Sequence, residues 1–165
     1  MVVAGVAGSG KTTIGVQLAK RLDWTFADGD SFHPAANVAK MRAGIPLTDA
    51  DRWPWLAAMA AWMDDIIASG QSAVLACSAL KRSYRAELLG GREQAVMVFL
   101  EVSREQDAAR VSRRKGHFFA EPLVASQFAD LELPDPAEPR VYAVATADRL
   151  PAQLVAGIIT RLGIR

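Results

Sequence analysis

Residues Gly5-Val6-Ala7-Gly8-Ser9-Gly10-Lys11-Thr12 form the stretch that decides the fold of this chain. They fit the pattern G-x-x-x-x-G-K-[ST] of a phosphate-binding loop. The apolar run Val2–Ala4 before the loop predicts a buried strand, and helical spacing after it predicts a helix up to Leu22. In this order, loop N–H groups and the helix dipole converge on an anion. The pattern predicts that Lys11 reaches the β- and γ-phosphates of a nucleotide and that Thr12 ligates Mg²⁺.

The bulk properties predict one soluble domain spanning residues 1–165. The net charge of +1 is too small to indicate a nucleic-acid or membrane surface. A single cysteine, Cys77, excludes an internal disulfide and suits a reducing compartment. We expect no signal peptide because the chain enters its first strand at once, and no apolar run reaches the length of a membrane span. We therefore expect a cytoplasmic protein with no nucleic-acid or membrane partner.

Apolar strand-like runs alternate with helical patterns along the chain, which predicts an α/β fold with a parallel sheet between two helical layers. The predicted strands are Val2–Ala4, Thr25–Asp28, Ala73–Cys77, Val96–Glu101 and Val141–Ala145. The predicted helices are Lys11–Leu22, Pro34–Ala43, Asp51–Ser69, Leu80–Leu89, Glu105–Arg114, Leu123–Leu131 and Ala152–Leu162. Thr48 or Asp49 would cap the third of them. Aromatic and charged residues mix in the poorly patterned region from Lys115, and we expect a mobile lid at about 115–126.

Ligands of open parallel sheets bind at the carboxyl ends of the strands, so the residues after each strand are candidates for a site. Asp28-Gly29-Asp30 and then His33 follow the second strand. A carboxylate here would accept a proton from a substrate hydroxyl, or orient a water on Mg²⁺. Asp30 is the better candidate because it lies beyond the strand end. An Asx turn that caps the next helix explains the same residues equally well.

Basic residues gather at two further places that face strand ends. Lys81, Arg82 and Arg85 lie near the start of a predicted helix, where the dipole disfavours cations unless an anion is near. This pattern indicates an anionic ligand or a solvated basic face. Arg52 would clamp a carboxylate with its two-pronged guanidinium, or pair with the aspartates beside it.

Other features point to a small-molecule kinase. Arg110 and Arg114 share a helix face, where a triphosphate would relieve their repulsion and lid arginines would stabilise the transferring phosphoryl group. The third strand lacks the terminal Asp of motor NTPases, and no Asn-Lys-x-Asp motif for guanine is present. Cys77 ends a buried strand and is expected to pack as a small hydrophobe. The tryptophans at 53, 55 and 62 are expected to pack rather than to bind sugar.

Several segments, in order along the chain, resemble the gluconate kinases. The matching residues are Gly5–Thr13, Asp28-Gly29-Asp30, His33-Pro34, Asn37, Lys40-Met41, Gly44–Asp49, Asp51-Arg52, Pro54-Trp55-Leu56, Cys77–Arg82, Tyr84-Arg85, Arg114–Phe119 and Ser126-Gln127-Phe128. The phosphate loop is shared by many families. The long segment from Asp28 to Leu56 and the Cys-Ser-Ala-Leu-Lys and Lys-Gly-His-Phe strings are much more specific.

This resemblance implies a P-loop kinase fold related to shikimate kinases, with five parallel strands in the order 2-3-1-4-5. It implies transfer of the ATP γ-phosphoryl group, with Mg²⁺, to the 6-hydroxyl of D-gluconate, by an enzyme that is commonly a homodimer. The nucleotide would lie on Gly5, Val6, Ala7, Gly8, Ser9, Gly10, Lys11, Thr12, Thr13 and Arg110. The reaction would use Lys11, Asp30 and Arg114. The gluconate carboxylate would meet Arg52, Lys81 or Arg85, and its hydroxyls would meet Asp30, His33, His117 and Gln127.

The chain also departs from the family pattern. Ala86 stands where the family usually has Asp, Leu89 stands where a basic residue is common, and the lid reads Ala120-Glu121-Pro122. Two alternatives remain open. The chain phosphorylates another hydroxy acid, such as shikimate or a different aldonate, or it is a regulatory module that binds ATP without transferring phosphate.

Overall fold

The computed structural model describes residues 1–102, 121–147 and 149–164. Across these residues the fold is centred on a five-stranded sheet in the order β2-β3-β1-β4-β5, and all the neighbouring strands pair in parallel. This confirms the predicted order. The strands are β1 (Val2–Ala4), β2 (Thr25–Asp28), β3 (Ala73–Ala76), β4 (Met97–Glu101) and β5 (Val141–Ala145).

Helices connect the strands close to where the sequence predicts them. In the described ranges they are α1 (Lys11–Leu22), α2 (Ala35–Arg42), α3 (Asp49–Ala68), α4 (Arg82–Leu89), α5 (Glu121–Asp130) and α6 (Pro151–Leu162), with a 3-10 turn at Gly29–Phe32. The predicted helix at 105–114 lies outside the described residues. None of the helices described is both long and apolar enough to cross a membrane.

The start of α3 shows how local chemistry places a helix end. α3 begins two residues before the predicted Asp51, because Thr48 caps it: the Thr48 hydroxyl accepts from the Asp51 N–H, and the Asp51 carboxylate accepts from the Thr48 N–H. The two exchanged bonds satisfy donors at the helix start that would otherwise have no partner. Lys40 also bonds Asp51 at 2.7 Å, which ties α2 to this cap.

Alternate side chains of the strands pack into two separate cores, one on each face of the sheet. On one face Val2, Leu75 and Met97 pack with Leu56 of α3 and Leu88 of α4. The opposite face packs against α1 and α6 through another set of buried side chains: Val3, Val74, Val98, Ile14, Leu18, Leu154 and Ile158. Successive side chains of a strand point to opposite faces of the sheet, which explains the division into two cores. The result is the predicted three-layer α/β architecture.

The carboxyl ends of β1, β2 and β3 meet at one edge of the sheet. In the parallel register Ala76 lies beside both Val3 and Asp28. The loops that follow these strands therefore open side by side. Gly29 is needed here, because a Cβ at this position would lie 2.7 Å from the Ala76 carbonyl oxygen. Three of the segments that the sequence selected as candidate site residues are brought together in this way.

Candidate active site

The loop from Gly5 to Lys11 is shaped by glycines in conformations that other residues rarely adopt. Gly5 has φ 140°, and a Cβ there would lie 2.7 Å from the Leu100 carbonyl oxygen. Gly10 precedes α1 with φ 96°, no side chain of the described residues caps this end of the helix, and its first turn holds no acidic residue. Neither a cap nor an acidic side chain in that first turn would compete with an external anion for the N–H groups at this helix start. A phosphate group is the acceptor that such a helix start favours.

Two polar side chains of the loop support the same interpretation. The Ser9 hydroxyl is buried, at 2% exposure, and finds no hydrogen-bond partner within the described part of the chain. Lys11 folds back, and its ammonium group donates to the Val6 carbonyl at 2.8 Å. A buried polar atom without a partner is rare in proteins. The loop therefore fits the phosphates of a nucleotide, which would supply acceptors for both groups.

The acidic turn after β2 lies directly against this loop. The Thr12 hydroxyl donates to Asp28 Oδ2 at 3.2 Å, and Asp28 Oδ1 accepts from the Asp30 N–H at 3.1 Å. The Asx turn predicted as one alternative is therefore present, and Asp28 forms it. Asp30 is exposed at the strand edge. A hydroxyl and a carboxylate side by side are ligands suited to Mg²⁺. The Asp-Gly-Asp motif alone favours Asp30, whereas the structure places Asp28 of the same motif beside Thr12.

His33 lies between the acidic turn and α3. Its ring stacks on Trp55 with centroids 4.4 Å apart and planes 11° from parallel. Burial lowers the pKa of His33 to about 4, and the nearby Arg52 guanidinium adds to the effect. The ring is therefore neutral at physiological pH and offers hydrogen bonds rather than charge. Trp55 is buried and donates to the Gly29 carbonyl at 2.7 Å, which agrees with the packing role expected of it.

Two cations, Arg52 of α3 and Lys81 just before α4, form what we call the cation pair. Asp130 contacts both, at 2.6 Å from Arg52 and 3.5 Å from Lys81. Asp49 lies 2.7 Å from Lys81 and 3.9 Å from Arg52, and accepts a hydrogen bond from the Tyr84 hydroxyl. The hydrogen bonds from Lys81 and Tyr84 lower the pKa of Asp49. Two carboxylates thus balance the two positive charges.

Arg85 has surroundings unlike those expected of a substrate ligand. It is 1% exposed and makes a two-pronged bond to Glu138, with distances of 2.8 and 2.6 Å. It also donates to the carbonyls of Leu80 and Glu132. Glu132 in turn accepts from the N–H of Arg82 at the start of α4. The anions near this basic cluster are therefore the protein's own, and Arg85 ties α4 to the segment after α5.

The remaining predicted residues fall into two groups. Gln127 of α5 contacts the phosphate loop, where its side-chain oxygen accepts from the Ala7 N–H at 2.6 Å. Arg110, Arg114 and His117 lie outside the described residues, as does the predicted lid up to residue 120; residues 121–126 belong to α5. Cys77 is buried, and burial raises the pKa of its thiol to about 12, which agrees with the packing role expected of it.

Comparisons with known proteins agree with this geometry. The family described as shikimate kinase matches residues 7–149. A gluconokinase from Gluconobacter oxydans (strain 621H) is 50% identical over 139 residues, which make up 84% of this chain and 78% of that protein. The chain belongs to the gluconokinase family. This membership confirms the resemblance that the motifs indicate. The protein is therefore a kinase with a nucleotide-binding phosphate loop.

Solved structures related to the gluconokinase family have the same fold. A sugar kinase from Janibacter sp. HTCC2649 has a TM-score of 0.91 at 43% identity, and the match covers 99% of this chain and 93% of that one. A gluconokinase from Sinorhizobium meliloti 1021 has a TM-score of 0.85 at 42% identity, covering 98% and 90% of the two chains. The three-layer fold and sheet order are therefore those of this family.

Proposed function

We propose that this protein transfers the γ-phosphoryl group of ATP to the 6-hydroxyl of D-gluconate, giving 6-phosphogluconate and ADP. The observation that carries the proposal is the contact between Thr12 and Asp28, which sets an acidic turn directly against a phosphate loop. The relatives named gluconokinase support the choice of substrate. The cation pair at the same region of the protein supplies partners for an anionic sugar acid.

We call the proposed ligand site at the carboxyl ends of β1, β2 and β3 the cleft, and its phosphate end comprises residues 5–13 and Asp28. Here the loop N–H groups and Lys11 would bind the β- and γ-phosphates, and Lys11 would exchange its bond to the Val6 carbonyl for one to phosphate. Thr12 and Asp28 would hold Mg²⁺, which supplies positive charge against the phosphate oxygens when bound. Preorganised donors of this kind stabilise the charge that spreads over the transferring group.

The acceptor end of the cleft comprises Asp30, His33 and the cation pair. Asp30 would accept a proton from the attacking hydroxyl or orient it, since it lies beside the Asp28 turn and is exposed to solvent. Neutral His33 would bond a second hydroxyl. Arg52 and Lys81 would receive the carboxylate. We leave Arg85 out of this set because it is buried against Glu138.

Other features of the proposal stay predictions. Arg110 and Arg114 would complete the nucleotide site, and His117 would bond a substrate hydroxyl. Gln127 would reach the substrate only after leaving the Ala7 N–H. We further propose a cytoplasmic homodimer, with no nucleic-acid or membrane partner.

A coupled assay of ADP release tests the proposal. We expect D-gluconate to stimulate release in the presence of Mg²⁺ and ATP, and the product to be oxidised by added 6-phosphogluconate dehydrogenase. Shikimate and other aldonates serve as competing acceptors. Stimulation by shikimate in place of gluconate would favour the other-acceptor alternative. A protein that binds ATP but releases no extra ADP with any acceptor would be a non-catalytic module.

A further inference from the structure

One face of α5 reaches both ends of the cleft. Gln127 and Asp130 are three residues apart, so their side chains lie on the same side of the helix, with about 5–6 Å between Cβ atoms. Gln127 bonds the Ala7 N–H of the phosphate loop at 2.6 Å. Asp130 contacts Arg52 at 2.6 Å and Lys81 at 3.5 Å. A single helical turn therefore joins the loop to the cation pair.

The side-chain oxygens of Gln127 and Asp130 on α5 resemble the oxygens of the phosphate and carboxylate groups that we propose as ligands of the cleft. A backbone N–H only donates, so Gln127 must offer Ala7 its carbonyl oxygen, as a phosphate oxygen would. Asp130 offers the cation pair a carboxylate, which is the same group that a sugar acid carries. With α5 in this position, protein oxygens occupy one amide of the loop and both cations.

The two carboxylates on the cation pair are held differently. Asp49 stands in the first turn of α3, three residues before Arg52, and the Tyr84 hydroxyl bonds it in addition to Lys81. Asp130 reaches the cations from the last residue of a different helix, α5. Asp49 therefore moves only with α3, whereas a shift of α5 alone withdraws Asp130. An incoming carboxylate would replace Asp130.

We infer that α5 is an internal competitor, in which Gln127 and Asp130 occupy the phosphate and acceptor ends until ligands displace them. Because both side chains belong to one turn, displacement at one end weakens the contact at the other. Nucleotide binding then strengthens binding of the sugar acid. The inference rests on the proposed function in one respect, namely that the cation pair receives the substrate carboxylate.

The variant Asp130→Asn tests the competition because it keeps the shape of the side chain and removes its charge. Calorimetry would measure the Kd for D-gluconate with and without MgADP. Asp64→Asn is the matched control: Asp64 pairs with Arg92 at 2.7 Å, and lies 15 residues beyond Asp49, or about 22 Å along α3. We expect Asp130→Asn to lower the Kd without nucleotide about three- to tenfold, with the control unchanged.

The variant Gln127→Ala tests the coupling between the two ends. In the parent protein we expect MgADP to tighten gluconate binding, and both Gln127→Ala and Asp130→Asn to reduce this difference. Thermal melting would show that each variant is folded. A folded Asp130→Asn protein that binds gluconate equally or more weakly would overturn the inference while the parent still phosphorylates gluconate. A parent protein that neither binds nor phosphorylates gluconate would overturn the proposed function itself, and the inference with it.

Discussion

The two ends of the cleft are built in contrasting ways. The proposed phosphate end comes mainly from one continuous stretch, whose backbone turns through positive φ at Gly5 and Gly10. The acceptor end uses side chains that are far apart in sequence, since Arg52 meets Asp130 across 78 positions. A local motif therefore specifies the first end, whereas the packing of α3, α4 and α5 specifies the second.

This contrast predicts different consequences of mutation. A change at Lys11 or Thr12 of the phosphate end should impair turnover and leave folding intact, because neither side chain is buried in a core. A change in the ion pairs that support the acceptor end should affect folding as well. Four experiments test the distinction, beginning with the largest expected effect.

The buried pair between Arg85 and Glu138 should contribute most to stability at the acceptor end. Arg85→Met leaves the Glu138 carboxylate buried without its partner, and we expect the free energy of unfolding to fall by about 3–5 kcal/mol in urea titrations. The double variant Arg85→Met/Glu138→Leu should recover much of this loss. Asp64→Asn, in a surface pair, should cost under about 1 kcal/mol. A single variant as stable as the parent would show that tertiary ion pairs do not support this end.

Lys11→Ala should separate turnover from folding at the phosphate end. Removal of its ammonium group deletes a donor to the transferring phosphoryl group, so we expect kcat to fall about 10²–10³-fold with little change in melting temperature. Lys20→Ala, on the same helix but outside the loop, is the control. Near-normal kcat in Lys11→Ala would contradict the role of the loop in phosphoryl transfer.

Asp28→Asn should weaken magnesium binding at the place where the loop meets β2. The amide keeps the turn but loses the negative charge beside Thr12, and we expect the Mg²⁺ concentration for half-maximal rate to rise about tenfold or more. Asp135→Asn is a matched control, because Asp135 likewise accepts a hydrogen bond from the N–H two residues on. An unchanged magnesium dependence would remove Asp28 from the metal site.

His33 should make the stability of the acceptor end depend on pH. Its pKa is lowered from 6.5 to about 4 in the folded chain. Between these two pH values the unfolded chain therefore binds a proton that the folded chain does not bind. We expect the free energy of unfolding to decrease as the pH is lowered from 6.5 to 4. Uptake of one full proton would give a slope of about 1.4 kcal/mol per pH unit, and we expect a smaller slope because the ring is partly exposed. Urea titrations of His33→Asn, which retains His117, should show a shallower decline. Equal slopes for the two proteins would contradict the shift.

Much of the fold could be predicted from the sequence because its signals are local. The runs Val2–Ala4, Thr25–Asp28 and Val141–Ala145 match the observed strands at both ends. α1 likewise runs from Lys11 to Leu22 as predicted. The helical spacing of its apolar residues and the glycine before it both belong to one short segment. The apolar pattern alone does not place helix ends: the Thr48 cap starts α3 at Asp49, two residues before the start that this pattern indicates.

The candidate site could be predicted less completely from the sequence, because the partner of a charged side chain depends on which residue the fold places next to it. A basic cluster near α4 has the same pattern whether it meets a ligand or a carboxylate of the protein. Only the fold brings Glu138 to Arg85 and Asp130 to Arg52. In the same way, only the fold brings Thr12 to Asp28, which no spacing within the Asp-Gly-Asp motif reveals.

The sequence by itself determined the phosphate loop, the sheet that carries it and the family, since glycine conformations and apolar periods are properties of neighbouring residues. The tertiary structure alone decided which charges meet. The partners of ion pairs and hydrogen bonds depend on distance in space rather than in sequence. Folding places α5 so that Gln127 contacts the phosphate loop and Asp130 contacts the cation pair.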